Sequence, residues 1–163
     1  METRLTAALG ASVRPPAHLT LSQRLCWVGR AELMLARGDG PAAGDLIEAL
    51  NASLPNRGAW GTYEAPRMLY LRGMSRLLLK MPDDAENDLA QALTIARAQG
   101  ARPAQVEILH GLARAARMRG VTGAEHRAAA DRLAREMAAT IPDAALRAGY
   151  EARVAREISE LDT

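Results

Sequence analysis

The sequence predicts an all-α protein arranged as an antiparallel helix-pair solenoid, with about three repeats and a C-terminal capping helix. Alanine supplies about a fifth of the 163 residues and aromatic residues only 3%, so strong helix formers are abundant and strand formers are scarce. Turn-forming residues interrupt the chain at regular intervals. Between these breaks, apolar residues recur at three- and four-residue steps, which is the period of an amphipathic helix.

Breaks rich in glycine, proline and aspartate divide the chain into seven predicted helices. In the first break, Gly38 can take the left-handed conformation that ends a helix, and Pro41 fits the first turn of the next helix. The other breaks fall at residues 55–61, 81–84, 100–103, 120–123 and 141–143. The helices therefore form three pairs, over residues 22–54, 64–99 and 103–138, and a final helix spans residues 143–161.

We expect residues 21–163 to form a single helical repeat domain, preceded by an N-terminal segment and linker over residues 1–20. The spacing of Leu5, Ala8 and Leu9 allows a short helix in the N-terminal segment. Pro15 and Pro16 are typical of a linker.

The final helix has the composition of a cap. Tyr150, Val154 and Ile158 lie on one face, while Glu151 and Glu160 lie on other faces. A helical array must present a polar outer side at its end. We therefore expect the apolar face to cover the last repeat and the glutamates to remain in solvent.

The chain is expected to be cytoplasmic, with no membrane contact. Cys26 is its single cysteine, so no internal disulfide forms, which suits a reducing compartment. No apolar run approaches the roughly 18 residues needed to cross a bilayer, and residues 1–10 lack the apolar core of a secretory signal. The net charge of +2 does not by itself indicate a nucleic-acid partner.

The three predicted pairs contain an internal repeat when they are aligned on their inner turns. Gly38, Lys80 and Gly120 then occupy the same position. In each pair, a small residue lies seven residues before the turn residue, and a large apolar residue lies four residues before the small one. The small residues are Ala31, Gly73 and Ala113, and the large ones are Trp27, Leu69 and Leu109. A small residue beside a bulky one permits close helix packing, so we expect the small residues at the contact between paired helices.

This pattern resembles the tetratricopeptide repeat. In the first pair the resemblance runs through Trp27, Ala31, Gly38, Ala43, Ile47 and Pro55. The second pair lacks the turn glycine and the terminal proline, and the third has Glu125 where alanine is expected. The repeats are also longer than the usual unit. The resemblance implies a superhelix whose first helices line a concave groove.

The long repeats are similar to the C-terminal helical arrays of bacterial signalling ATPases and of LuxR-type (MalT-like) regulators. Residues 97–103, the stretch around Met118-Arg119-Gly120 and residues 138–147 carry this similarity, which covers about residues 21–156. It implies a sensor or scaffold part in bacterial signalling or transcriptional regulation. The sequence has no P-loop and no recognisable helix-turn-helix after Arg156, so it lacks the family's nucleotide-binding and DNA-binding motifs.

The sequence contains no pattern that indicates catalysis. His18, His110 and His126 lack the spacing of metal ligands. Cys26 adjoins Trp27 in an apolar helix, which indicates a packed thiol rather than a nucleophile. The glycine-rich stretch 38–44 follows a predicted helix instead of the strand that a dinucleotide loop requires. We therefore expect a non-enzymatic protein without a cofactor or a metal.

The predicted function is a protein–protein interaction module, or a sensor or scaffold, that binds a partner segment in the concave groove. In the aligned first helices, three groove-facing rows hold Val28, Tyr70 and His110, then Glu32, Met74 and Arg114, then Leu35, Leu77 and Arg117. The predicted binding residues are Glu32, Tyr70, Met74, His110, Arg114 and Arg117. Tyrosine, methionine and arginine are common at protein contacts. We expect a partner with an apolar anchor and an acidic group. In an alternative interpretation, some of these rows pack in the core or against the N-terminal segment instead of lining the groove.

A nucleic-acid-binding regulator fragment is the alternative function. Residues 97–135 hold eight arginines against three acidic residues, a net charge of +5. Such a block is typical of a patch for phosphate or another acidic partner. Solvated outer faces in an arginine-rich chain are the favoured interpretation, because the block contains no aromatic residues and lysine is nearly absent from the chain. A steep salt dependence of nucleic-acid binding would distinguish the two functions.

Overall fold

The computed structural model describes Pro15 and residues 19–52 and 64–161, in which seven helices and no strand occur. The helices are α1 (Leu21–Ala36), α2 (Gly40–Ala52), α3 (Glu64–Leu78), α4 (Pro82–Ala98), α5 (Arg102–Met118), α6 (Ala124–Ala139) and α7 (Ala144–Leu161). The all-α prediction is confirmed for this part of the chain, and each predicted segment corresponds to one helix. The short helix allowed within residues 1–12 and the break at residues 55–61 lie outside the described residues.

Local side chains determine where several helices begin. At α1, the Gln23 N–H donates to Thr20 Oγ1 and the Thr20 N–H donates to Gln23 Oε1, which forms a reciprocal capping box. Asp39 and Asp143 each accept a hydrogen bond from the backbone N–H three residues ahead, at the starts of α2 and α7. Pro82 begins α4, where its missing N–H removes no intrahelical hydrogen bond.

Four helices end in the same left-handed turn. The φ angle is +77° at Gly38, +61° at Lys80, +64° at Gly100 and +79° at Gly120. In each turn this residue donates its N–H to the carbonyl three residues back, and the next residue donates to the carbonyl five residues back. These bonds satisfy carbonyls that the helix end leaves open. Gly38, Lys80 and Gly120 therefore share a conformation as well as an aligned sequence position.

The buried apolar residues form two clusters. One lies among α1, α2 and the first half of α3, and it includes Trp27 and Leu50. The other extends from the end of α3 to α6 and includes Leu89 and Ile108. Tyr70 is partly buried and packs against both clusters. Its ring therefore marks the place where the two parts of the core meet.

Small residues permit the close approach of paired helices. Ala31, Gly73 and Ala113 are all buried, as expected from the repeat. A Cβ atom on Gly73 would lie 2.7 Å from Leu89 Cγ, so α3 and α4 approach at a distance that leaves no room for a side chain. The backbone of Ala113 is equally close to Gly123, where a Cβ atom would lie 2.6 Å from the Ala113 carbonyl oxygen.

The third pair packs in a shifted register. Glu125, which stands where the first two pairs have alanine, is exposed on α6. Gly123 provides the close approach instead, two residues earlier. Along α6 the buried contact surface consists of alanines four residues apart, namely Ala130, Ala134 and Ala138. The register shift therefore follows from where the small residues fall in the sequence.

Alternate helices lie on the same side of the molecule. Each helix packs on the next helix along the chain, and α1 also contacts α3, α3 contacts α5 and α5 contacts α7. Turns of three to five residues join most neighbouring helices, which returns the chain after each helix. The odd-numbered helices α1, α3, α5 and α7 therefore form one continuous face.

A buried ion cluster joins α2, α3 and α4. The Asp88 side chain is 3% exposed, and it accepts hydrogen bonds from Arg72 at 2.7 and 2.8 Å and from Arg76 at 2.6 Å. Arg72 also reaches Glu48 on α2 at 3.5 Å. Hydrogen bonding to Asp88 raises the pKa of the Arg72 guanidinium above its ordinary value, against the opposing effect of burial. The Arg72 guanidinium therefore keeps its charge although it is partly buried.

The final helix covers the end of the molecule only lightly. No residue of α7 between positions 144 and 156 is buried. Tyr150 and Val154 are half-buried, Val154 packs against the larger core cluster, and Glu151 is exposed. The side chains of Ile158 and Glu160 lie outside the description. The described part of the helix thus matches the expected orientation of the cap.

Candidate functional site

A cavity of about 470 Å³ opens on the face formed by the odd-numbered helices. Helices α1, α3 and α5 supply most of its lining, and α7 supplies Val154. This volume lies within the range of about 300 to 1,000 Å³ that is typical of ligand sites. The cavity is therefore the candidate functional site, and we call it the groove.

The groove brings together five of the six predicted binding residues. They are Glu32, Tyr70, Met74, His110 and Arg114. Arg117, the sixth, is exposed on α5 and does not line the groove. Two other residues of the predicted rows, Val28 and Leu77, are buried in the core, as in the alternative interpretation of the rows.

One arginine joins three helices across the groove. Arg67 on α3 donates a hydrogen bond from Nε to the Glu32 carboxylate on α1, and its Nη2 atom lies 2.8 Å from the same carboxylate. Its Nη1 atom donates to the Glu107 carboxylate on α5. Burial opposes the charge on Arg67, but attraction to Glu107 and Glu32 together raises the pKa of its guanidinium above the ordinary value. The Arg67 guanidinium also lies 5.2 Å from the centre of the Tyr70 ring.

The charged groups occupy two different parts of the groove. Glu32, Glu107 and Arg67 form one cluster, whose two carboxylates and one guanidinium carry a net charge of −1. Arg114 lies seven residues beyond Glu107 on α5, and it forms no ion pair with any residue that the structure describes. The groove therefore has a negative cluster at one place and an uncompensated positive charge at another.

Apolar side chains line the groove between these charges. Leu35 from α1, Leu71 and Met74 from α3, Val106 from α5 and Val154 from α7 all contribute. A mixed lining of this kind is typical of sites that bury an apolar group and orient it with a few polar contacts.

Sequence reasoning missed Arg67, Glu107 and Val154. Arg67 and Glu107 lie three residues before Tyr70 and His110, so they occupy the aligned row one helical turn earlier. Extending the rows by one turn would have included both residues. Val154 was assigned only to the cap, and no sequence pattern indicates that α7 also reaches the groove.

Two smaller cavities also occur among the described residues. One, of about 200 Å³, lies between α6 and α7 beside Tyr150 and Val154. The other, of about 280 Å³, lies beside Met68 and Arg72, whose guanidinium belongs to the Asp88 cluster.

The described ranges contain neither a metal-binding cluster nor a membrane-spanning helix. Residues 19–52 and 64–161 bring together no three histidine, cysteine or acidic side chains in an arrangement that could hold a metal ion. No helix in those ranges combines the length and the apolarity that a bilayer crossing requires.

Acidic residues outside residues 97–135 offset part of the positive charge of that basic block. Arg102 pairs with Glu136 at 2.5 Å. Arg119 pairs with Asp83 at 3.0 Å and with Glu86, both on α4. Two of the eight arginines in the basic block are therefore paired with acidic residues that lie outside residues 97–135.

Comparison with known proteins gives no relative. No family model matches the chain, and no significant match was found among curated proteins or solved structures.

Proposed function

We propose that the protein is a non-enzymatic interaction module that binds a segment of a partner protein in the groove. The observation that carries this proposal is the lining of the 470 Å³ cavity, where apolar side chains of four helices surround a cation without an ion-pair partner among the described residues. Tyr70 and Met74 can bury an apolar anchor, and Arg114 can pair with a carboxylate. The expected preference for an acidic group on the partner depends on Arg114, because Arg67 is already paired with two carboxylates.

We also propose that the helices form a superhelix related to the tetratricopeptide repeat. The shared left-handed turns at Gly38, Lys80 and Gly120, and the burial of Ala31 and Gly73, support this arrangement. A sensor or scaffold part in bacterial signalling or transcription, within the cytoplasm, is the role that fits such an array without a catalytic motif.

The test is selection of binders from a phage-displayed library of random peptides, followed by affinity measurements on the selected peptides. We expect Tyr70→Ala to weaken binding at any salt concentration. Because Tyr70 also packs in the core, Met74→Ala is the second variant, and Met137→Ala on α6 is its matched control. Loss of a central anchor costs about 2 kcal/mol, which is roughly thirtyfold in affinity.

Two results would contradict the proposal. One is that the selected peptides bind Met74→Ala and Met137→Ala equally well. The other is that the protein captures only nucleic acid, with an affinity that falls steeply as salt is raised. In that case the basic block, including the exposed Arg117, becomes the better candidate. If the groove is the site, Arg117→Ala weakens peptide binding mainly at low salt, because Arg117 lies outside the lining.

A further inference from the structure

The separation of charge within the groove restricts what a bound segment must look like. Glu107 and Arg114 lie on the same face of α5, seven residues apart, which is two turns or about 10.5 Å along the helix. Glu107 belongs to the cluster with net charge −1, whereas Arg114 has no ion-pair partner among the described residues. The groove is therefore electrically polar along α5.

Both charged parts are accessible to an occupant. The side chains of Glu32 and Arg67 are each 38% exposed, and that of Glu107 is 42% exposed. Arg114 is half-buried and lines the same cavity. A bound segment can therefore contact the carboxylates without first breaking their bonds to Arg67, since a carboxylate accepts several hydrogen bonds.

The two charged parts set a distance that an occupant must match. Glu107 and Arg114 are about 10.5 Å apart along α5, so a segment that contacts both must carry its two charged groups about that far apart. Charge complementarity then requires a basic group at the negative cluster and an acidic group at Arg114.

We propose, resting on the function proposed above, that the bound segment carries a basic and an acidic group about 10 Å apart. The basic side chain lies at the cluster of Glu32, Arg67 and Glu107, and the acidic side chain lies at Arg114. An apolar side chain between them contacts Tyr70 and Met74. The two charges fix the register of the segment, and the apolar side chain supplies most of the affinity.

The experiment repeats the selection of random phage-displayed peptides with four variants. Glu107→Gln removes one carboxylate from the cluster, and Glu136→Gln is its control, because Glu136 is also paired with an arginine but lies outside the groove. Arg114→Gln removes the cation, and the exposed Arg132→Gln is its control.

We expect wild-type protein and both controls to select peptides that carry a basic and an acidic residue on either side of an apolar residue. Glu107→Gln should select the acidic side chain alone, and Arg114→Gln the basic side chain alone. For a synthetic peptide with both charges, each groove variant should lose about two- to fivefold in affinity, the usual effect of a partly exposed ion pair.

The outcomes separate this inference from the proposed function. The inference alone would be overturned by selected peptides whose binding depends on Met74 but which carry no pair of opposite charges. It would also be overturned by peptides that bind Glu107→Gln and Arg114→Gln as tightly as they bind the wild-type protein. Failure to select any peptide, or binding that does not depend on Met74, would overturn both.

Discussion

Lys80 occupies a backbone position that favours glycine. Its φ angle of +61° is the one positive value among the described non-glycine residues, and the equivalent turns use Gly38 and Gly120. A side chain with a Cβ atom is strained in this region, because Cβ crowds the following carbonyl oxygen. Lys80 is exposed, so packing does not compensate for the strain.

We therefore expect Lys80→Gly to stabilise the protein. The gain should be about 0.5 to 1 kcal/mol, because relief of the strain exceeds the extra entropy that glycine adds to the unfolded chain. Urea denaturation measures the free energy of unfolding. Lys80→Ala is the control, because it removes the long side chain but keeps Cβ, and it should give no gain. Equal stability of the glycine and alanine variants would show that the strain is absent.

Helices α3 and α4 are held together by charge as well as by apolar packing. The carboxylate of Asp88 on α4 contacts both Arg72 and Arg76 on α3, and Arg72 continues to Glu48 on α2. Burying a charge is costly unless it is fully paired. The cluster therefore constrains the relative positions of three helices more strictly than apolar contacts alone do.

We expect Asp88→Ala to reduce the free energy of unfolding by about 2 to 3 kcal/mol, because it leaves two partly buried guanidinium groups without their partner. Their side chains are 25% and 29% exposed, so water compensates in part. Asp45→Ala on the exposed side of α2 is the control and should change stability by less than about 0.5 kcal/mol. A loss no larger than that of the control would mean that the cluster adds nothing to stability.

The elements were predictable from sequence because their signals are local. The breaks at Gly38 and Pro82 act within a few residues of themselves, and so they mark helix ends without knowledge of the fold. The groove was predictable only in part. Arg67 meets partners 35 and 40 residues away, and pairing over such distances depends on how helices are stacked, which local patterns do not encode.

At the scale of the whole molecule, the described side chains of α7, up to position 156, contribute little buried surface. Val154 packs against the larger core cluster, while Leu146 is 68% exposed. We therefore expect the rest of the fold to depend only in part on α7.

We expect deletion of residues 143–163 to lower the melting temperature by only a few degrees and to increase binding of a hydrophobic dye. The reason is that one half-buried apolar contact and its neighbours contribute about 1 to 2 kcal/mol, which corresponds to roughly 2 to 8 °C in a protein of this size. Leu146→Ala is the control and should melt like wild type. Complete unfolding of the shortened protein would contradict this estimate of the role of α7.

Val154 lines both the 470 Å³ groove and the 200 Å³ cavity between α6 and α7. The two cavities therefore share one side chain, and a substitution at position 154 changes the lining of both at once. If a compound in the smaller cavity changed the affinity of the groove for a peptide, thermodynamic reciprocity would require the peptide to change the affinity of that compound by the same factor.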